Sequence, residues 1–242
     1  MILATPPRLA LFGTLVLLGF TSPAFAQSGI NLSWDDCGGF GLASKSFACD
    51  TNAGQDVLFG SAVSGVDLDI FAVEATITVA FDGPTLSGWW RLDTTTIGPA
   101  GCRKGAFTAS SDFTAGPHHC ADPWGPGAIA SQAYDLPGYP NQGRMRAIGI
   151  TPDQSTRHID GAVEYEYFKI VLTHAKTIGT GSCAGCSGGA TLYLMSVRLD
   201  QLPEVGDYTF RQPLERAYVT WQGGTPVAAR KSTWGAVKSL YR

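Results

Sequence analysis

Between residues 71 and 81 every second side chain is apolar. Phe71, Val73, Ala75, Ile77, Val79 and Phe81 share one parity, and Glu74, Thr76 and Thr78 fall on the other. A period of two sustained over this length fits a strand with one face on a core and the other toward water, and a helix of period 3.6 does not reproduce it. Residues 163–174 repeat the pattern with an interruption: Val163, Tyr165 and Tyr167 oppose Glu164 and Glu166, and the apolar parity then switches to Phe168, Ile170 and Leu172. Such a switch predicts a bulge near Tyr167 and Phe168, or a strand that passes from one sheet to another. In 191–199, Tyr193, Met195, Val197 and Leu199 stay in register. Shorter strands are expected at 31–34, 57–63, 88–92, 128–134, 144–150, 208–211 and 217–221.

Gly, Pro, Asp and Asn clusters separate these segments. The 30 Gly and 14 Pro, with only 15% charged residues and 44% apolar ones, exclude a long helical bundle and a disordered chain alike. The pattern predicts an all-β fold, a two-sheet antiparallel β-sandwich that is jelly-roll-like or Ig-like, occupying 27–224 as one domain. Residues 225–242 read as a linker and a short C-terminal tail, in which Trp234, Val237, Leu240 and Tyr241 share one face of a short amphipathic helix.

The first 26 residues read as a cleaved signal peptide. Arg8 precedes an apolar run from Leu9 to Phe20, and Ala24-Phe25-Ala26 supplies the small-residue cleavage site before Gln27. That run is shorter than the roughly 20 residues a spanning helix needs, so no membrane span is expected once the signal is removed. The chain is therefore expected to be exported, to the periplasm, the cell surface or the exterior. A formal charge of −3 supplies no basic field for nucleic acid.

Six cysteines in an exported chain read as disulfides. Fifteen pairings are open, and the local one is preferred: Cys37 with Cys49, Cys102 with Cys120, and Cys183 with Cys186, each bracketing a turn-rich stretch. On this reading the Gly-rich segment 179–189 is a hairpin loop with a stapled tip.

The ending TWGAVKSLYR, with the segments WDDC, FACDTN and HAKTIGTGSCAGC, resembles a group of exported bacterial β-rich proteins that carry no established activity. The resemblance implies export and a β-rich domain and brings no chemistry with it.

Several constellations invite a chemical role. Gly185-Cys186-Ser187-Gly188-Gly189 fits G-x-S-x-G, with His119 upstream and Asp135, Asp153 and Asp160 between, in the order of a chymotrypsin-like protease. Only 68 positions separate His119 from Ser187, too few for a second barrel, so Ser187 reads as a loop serine. His118, His119, Cys120 and Asp122, or His174 with Cys183 and Cys186, resemble zinc donor sets, but oxidised sulfurs are not ligands. Cys183-x-x-Cys186 lacks the following helix that thioredoxin-type redox work needs. Asp50, Asn52 and Asp56 present oxygens at alternate positions, which makes calcium the one cofactor to consider, although the loop departs from the EF-hand pattern. The aromatic residues suggest sugar stacking. Trp89 and Trp90 are adjacent, so on a strand one of them faces outward, and the long loop 112–143 adds His118, His119, Trp124 and Tyr139. A non-enzymatic exported protein that binds a glycan or another cell-surface component is the leading expectation. A hydrolase using carboxylates or His118 and His119 on the same scaffold is the alternative, and a structural role for the tail is a third.

Overall fold

The computed structural model describes residues 29–94, 100–114, 119–153, 155–211 and 217–226. The signal peptide read at 1–26, the amphipathic part of the C-terminal tail and His118 lie outside the described residues. Thirteen strands follow one another among the described residues: β1 (Gly29–Trp34), β2 (Ser44–Lys45), β3 (Gln55–Val63), β4 (Leu68–Ile70), β5 (Ala72–Phe81), β6 (Phe107–Ser110), β7 (Ile129–Asp135), β8 (Gln142–Ile150), β9 (Arg157–Ile159), β10 (Glu164–Thr173), β11 (Ala190–Asp200), β12 (Tyr208–Arg211) and β13 (Tyr218–Trp221). Four form a sheet in the order β1-β3-β10-β6. Seven form a second sheet in the order β2-β13-β11-β5-β8-β7, with β12 on β11 beside β13, and β4 pairs with β9 as a separate ribbon. Every pairing is antiparallel except the short one between β2 and β13. The all-β sandwich expected from the alternation is the architecture observed.

The inner faces follow the parity of the sequence. On β5, Val73, Ala75, Ile77 and Val79 are fully buried, and Met145, Ala147, Leu192 and Leu194 extend that layer across β8 and β11. The opposing layer comes from Leu32 and Trp34 on β1, Leu58 on β3, and Phe168, Ile170 and Leu172 on β10. The parity switch in β10 is a bulge, a shift of register against β3 between Glu166 and Phe168. After the shift Phe168 faces the core and lies over Gly60, where an added Cβ would sit 2.0 Å from the ring. Gly60 is thus fixed by the close approach of an aromatic ring.

Two local expectations fail. Residues 88–92 do not form a strand: Gly88–Trp90 is a single 3₁₀ turn. The segment 179–189 is not a hairpin loop, because β10 and β11 belong to different sheets and the segment carries the chain from one to the other.

The local disulfide pairing is also overturned. The bridges are Cys37–Cys120, Cys49–Cys186 and Cys102–Cys183, spanning 83, 137 and 81 positions. All six cysteines are oxidised, so Cys183 and Cys186 each anchor the inter-sheet crossing to a distant segment instead of to each other. In the loop-entropy model, bridges over such spans stabilise by about 4–5 kcal/mol each. Peptide mapping without reduction is expected to recover these three pairs. The double variant Cys49→Ala/Cys186→Ala should lose about 4 kcal/mol in urea unfolding, the long-range bridge being absent from its denatured state.

Candidate functional site

The aromatic residues singled out in the sequence divide sharply by exposure. Trp89, Trp90 and Trp124 are all buried, at 2%, 0% and 1% exposure. A strand would have turned one of the first two outward. In the 3₁₀ turn successive side chains are about 120° apart, and both rings enter the core. Trp90 packs edge-on against Trp221, and Trp89 lies under the Arg103 guanidinium, 3.3 Å from the ring centroid. Trp124 donates its indole N–H to the Tyr167 carbonyl at 3.0 Å. None of the three can stack on a ligand, which corrects the expectation for Trp89, Trp90 and Trp124.

Tyr139 stands apart, 66% exposed in the turn before β8. It lines a cleft of about 330 Å³ with Arg91, Leu136 and Gln142. Gln142 also lines an adjoining cleft of about 350 Å³ with Asp82, Asn141 and Thr225. The polar groups here are held in place. Arg91 grips Asp93 through Nε (2.7 Å) and Nη2 (2.9 Å), which holds the Asp93 carboxyl below the usual carboxylate range. Asn141 donates to the Phe81 carbonyl at 3.0 Å, and an Asp82 oxygen accepts the Thr225 N–H at 3.1 Å. An exposed ring beside a fixed guanidinium, amides and a carboxylate can take one flat apolar face and the hydroxyls around it.

A second cluster forms where Cys37–Cys120 closes. The bridge brings the neighbours of its cysteines together, so His119 Nδ1 lies 2.5 Å from Asp36 Oδ2. Asp36 Oδ1 accepts the backbone N–H of Cys37 at 2.7 Å and of His119 at 3.2 Å. Asp36 is buried and His119 is half exposed, its ring stacked on Phe40 at 4.3 Å. With Nδ1 turned to a buried carboxylate, Nε2 occupies the opposite edge of the ring, the orientation in which an imidazole serves as a general base. Sequence reasoning singled out His119 but missed Phe40 and the pairing with Asp36, because only the long-range disulfide puts the two segments side by side.

The remaining motifs are absorbed by structure. Asn52 Oδ1 accepts the N–H groups of Thr177 (2.7 Å) and Ile178 (3.0 Å), and its amide donates to the Ile178 carbonyl. Asp56 is buried between His174 Nε2 at 2.8 Å and Lys45 Nζ at 3.3 Å. Two of the three oxygen donors expected for calcium thus face protein donors, and the third, Asp50, is exposed. Among the described residues, the grouping of metal-ligand types is Cys37, Cys120 and Glu166, whose sulfurs form a disulfide. Of the protease carboxylates, Asp135 pairs with Arg144, Asp153 with Arg157, and Asp160 with the Ala162 N–H. The 185–188 turn closes on its own backbone rather than opening a helix.

No family model matches the chain, and neither the curated proteins nor the solved structures provide a match.

Beside the Cys37–Cys120 bridge, Glu166 is wholly buried, and its carboxyl is pushed up from 4.5 to about 7. Burial is the main cause, followed by the negative charges of Asp36 and Asp122; the Cys120 backbone and Lys169 act the other way. A carboxyl whose folded-state pKa is raised stabilises the fold fully below its unfolded value, and that stabilisation is lost as pH rises through about 7. Urea unfolding between about pH 4.5 and 8 should show this loss, on the order of 3 kcal/mol, and Glu166→Gln should flatten it.

Proposed function

We propose that this is an exported, non-enzymatic β-sandwich that binds carbohydrate through the paired clefts at Tyr139. The observation that carries the proposal is the Tyr139 ring itself, exposed over a cleft whose polar wall includes Arg91 and Gln142. A pyranose has an apolar C–H face that packs on an aromatic ring, and its hydroxyls each donate and accept. The Arg91 guanidinium donates, the Asp82 carboxylate accepts, and the Gln142 and Asn141 amides do both. Because Arg91 is already fixed by Asp93, little side-chain freedom remains to be lost on binding. Three disulfides and the expected signal peptide suit a protein that works outside the cytoplasm. Among the described residues no helix is long and apolar enough to cross a membrane.

A glycan array probed with the full chain should give binders, and Tyr139→Ala should weaken them by about tenfold or more, the scale of a single binding hot spot. Binders unaffected by that substitution would place recognition elsewhere.

A hydrolase is the second reading, favoured by the Asp36-oriented imidazole of His119. It requires turnover of an ester or glycoside that falls by about 10²–10⁴-fold in His119→Ala. Activity profiling that finds turnover of this kind would displace the binding proposal.

A further inference from the structure

The outer face of the seven-stranded sheet adjoins the Tyr139 clefts. Its register places Tyr218, Tyr193, Thr78 and Arg144 in one row across β13, β11, β5 and β8, and Thr220, Thr191, Ala80 and Gln142 in the next. The second row ends on Gln142, which both Tyr139 clefts share. The first begins at Tyr218, 39% exposed, which also lines a separate cleft of about 280 Å³ with Gly38, Gly39 and Gly41. The rings of Tyr193 and Tyr218 lie side by side, centroids 5.9 Å apart. Three interstrand steps separate β13 from β8, about 14 Å at ~4.8 Å per step, and the clefts extend the path at both ends.

The path between the clefts is low and neutral. Thr78, Ala80 and Thr220 are short, partly exposed side chains, and Thr191 among them is buried. Arg144 is drawn sideways onto Asp135, and Arg198 pairs with Glu74 and Asp200. The charges of the face are neutralised within it, which complements a polyol and offers no field to a polyanion.

Resting on the Tyr139 site proposed above, we infer that the ligand is a long, unbranched, neutral polysaccharide lying across the strands from the Tyr139 clefts to the Tyr218 cleft. A chain of several sugars engages both ends at once, and the second contact is made at the high effective concentration set by the first. A disaccharide fills one end only.

The test is calorimetric titration of the full chain with the disaccharide and hexasaccharide of β-1,4-linked glucose, N-acetylglucosamine and mannose, and with polygalacturonate as the charged probe. At least one hexasaccharide should bind about tenfold or more tightly than its disaccharide. Tyr218→Ala should remove that advantage and leave disaccharide affinity unchanged. Thr78→Arg, which raises a long side chain in mid-path, should do the same. Tyr139→Ala should weaken both lengths. A hexasaccharide no tighter than its disaccharide would overturn the extended path and leave the Tyr139 site standing. So would wild-type binding by both face variants while Tyr139→Ala still loses affinity. Polygalacturonate binding more tightly than every hexasaccharide would overturn the neutral ligand. No binding to any probe, or full binding by Tyr139→Ala, would remove the Tyr139 proposal itself and this inference with it.

Discussion

The sandwich closes around Trp221. Its ring lies within 6.2 Å, centroid to centroid, of Trp34, Phe47, Trp89 and Trp90, and its indole N–H donates to the Cys186 carbonyl at 2.9 Å. These partners come from β1, from the segment after β2, from the 3₁₀ turn and from the inter-sheet crossing, so one side chain joins both sheets and three connections. Aromatic residues bury large areas and add pairwise ring contacts beyond that area, which suits them to a junction where strands from two sheets converge. Trp89 and Trp90 serve this junction. That is the physical reason they are unavailable to a ligand, whereas Tyr139, outside the junction on the turn before β8, keeps its ring exposed.

The disulfides decide what surrounds the junction. Cys49–Cys186 and Cys102–Cys183 tie the inter-sheet crossing to the 49–54 loop and to the segment after the 3₁₀ turn. Phe47, two residues from Cys49, stacks on His174 at 3.8 Å, and His174 in turn holds Asp56. Cys37–Cys120 does the same for the Asp36 and His119 pair. Each bridge joins segments more than eighty positions apart, so the loops that carry polar side chains are fixed relative to one another without a larger core.

This explains which features the sequence disclosed. The strands of the core were legible because period-two alternation records burial directly: the 71–81 pattern is β5, and the parity switch at Tyr167 and Phe168 is the bulge of β10. Short edge strands such as β2 and β6 carry too few alternating positions to register. Trp89 and Trp90 were misplaced because alternation presumes a strand, and no periodic signal distinguishes a lone 3₁₀ turn from one. The disulfide pattern was illegible because loop composition reports only on local closure, whereas the true partners are brought together by sheet order. His119 was singled out as one of a His-rich loop, while its partner Asp36 stayed hidden behind the same missing pairing.

The bridges also bear on the buried charges. Arg103 follows Cys102, is almost fully buried, and donates to the carbonyls of Trp89 and Ala175 at 3.1 Å each as well as to Thr173. Burial lowers its pKa to about 9, with Asp56 opposing that shift. Asp36 precedes Cys37, and Glu166 lies under the Cys37–Cys120 bridge. Removing ionic groups from water costs several kcal/mol each before their partners compensate, which favours opening of the loops that cover them. A crosslink beside each group counters that tendency by restricting the opened states. The disulfides therefore stand beside Asp36, Arg103 and Glu166, buried charged groups that would be uncovered by opening of the segments the bridges join.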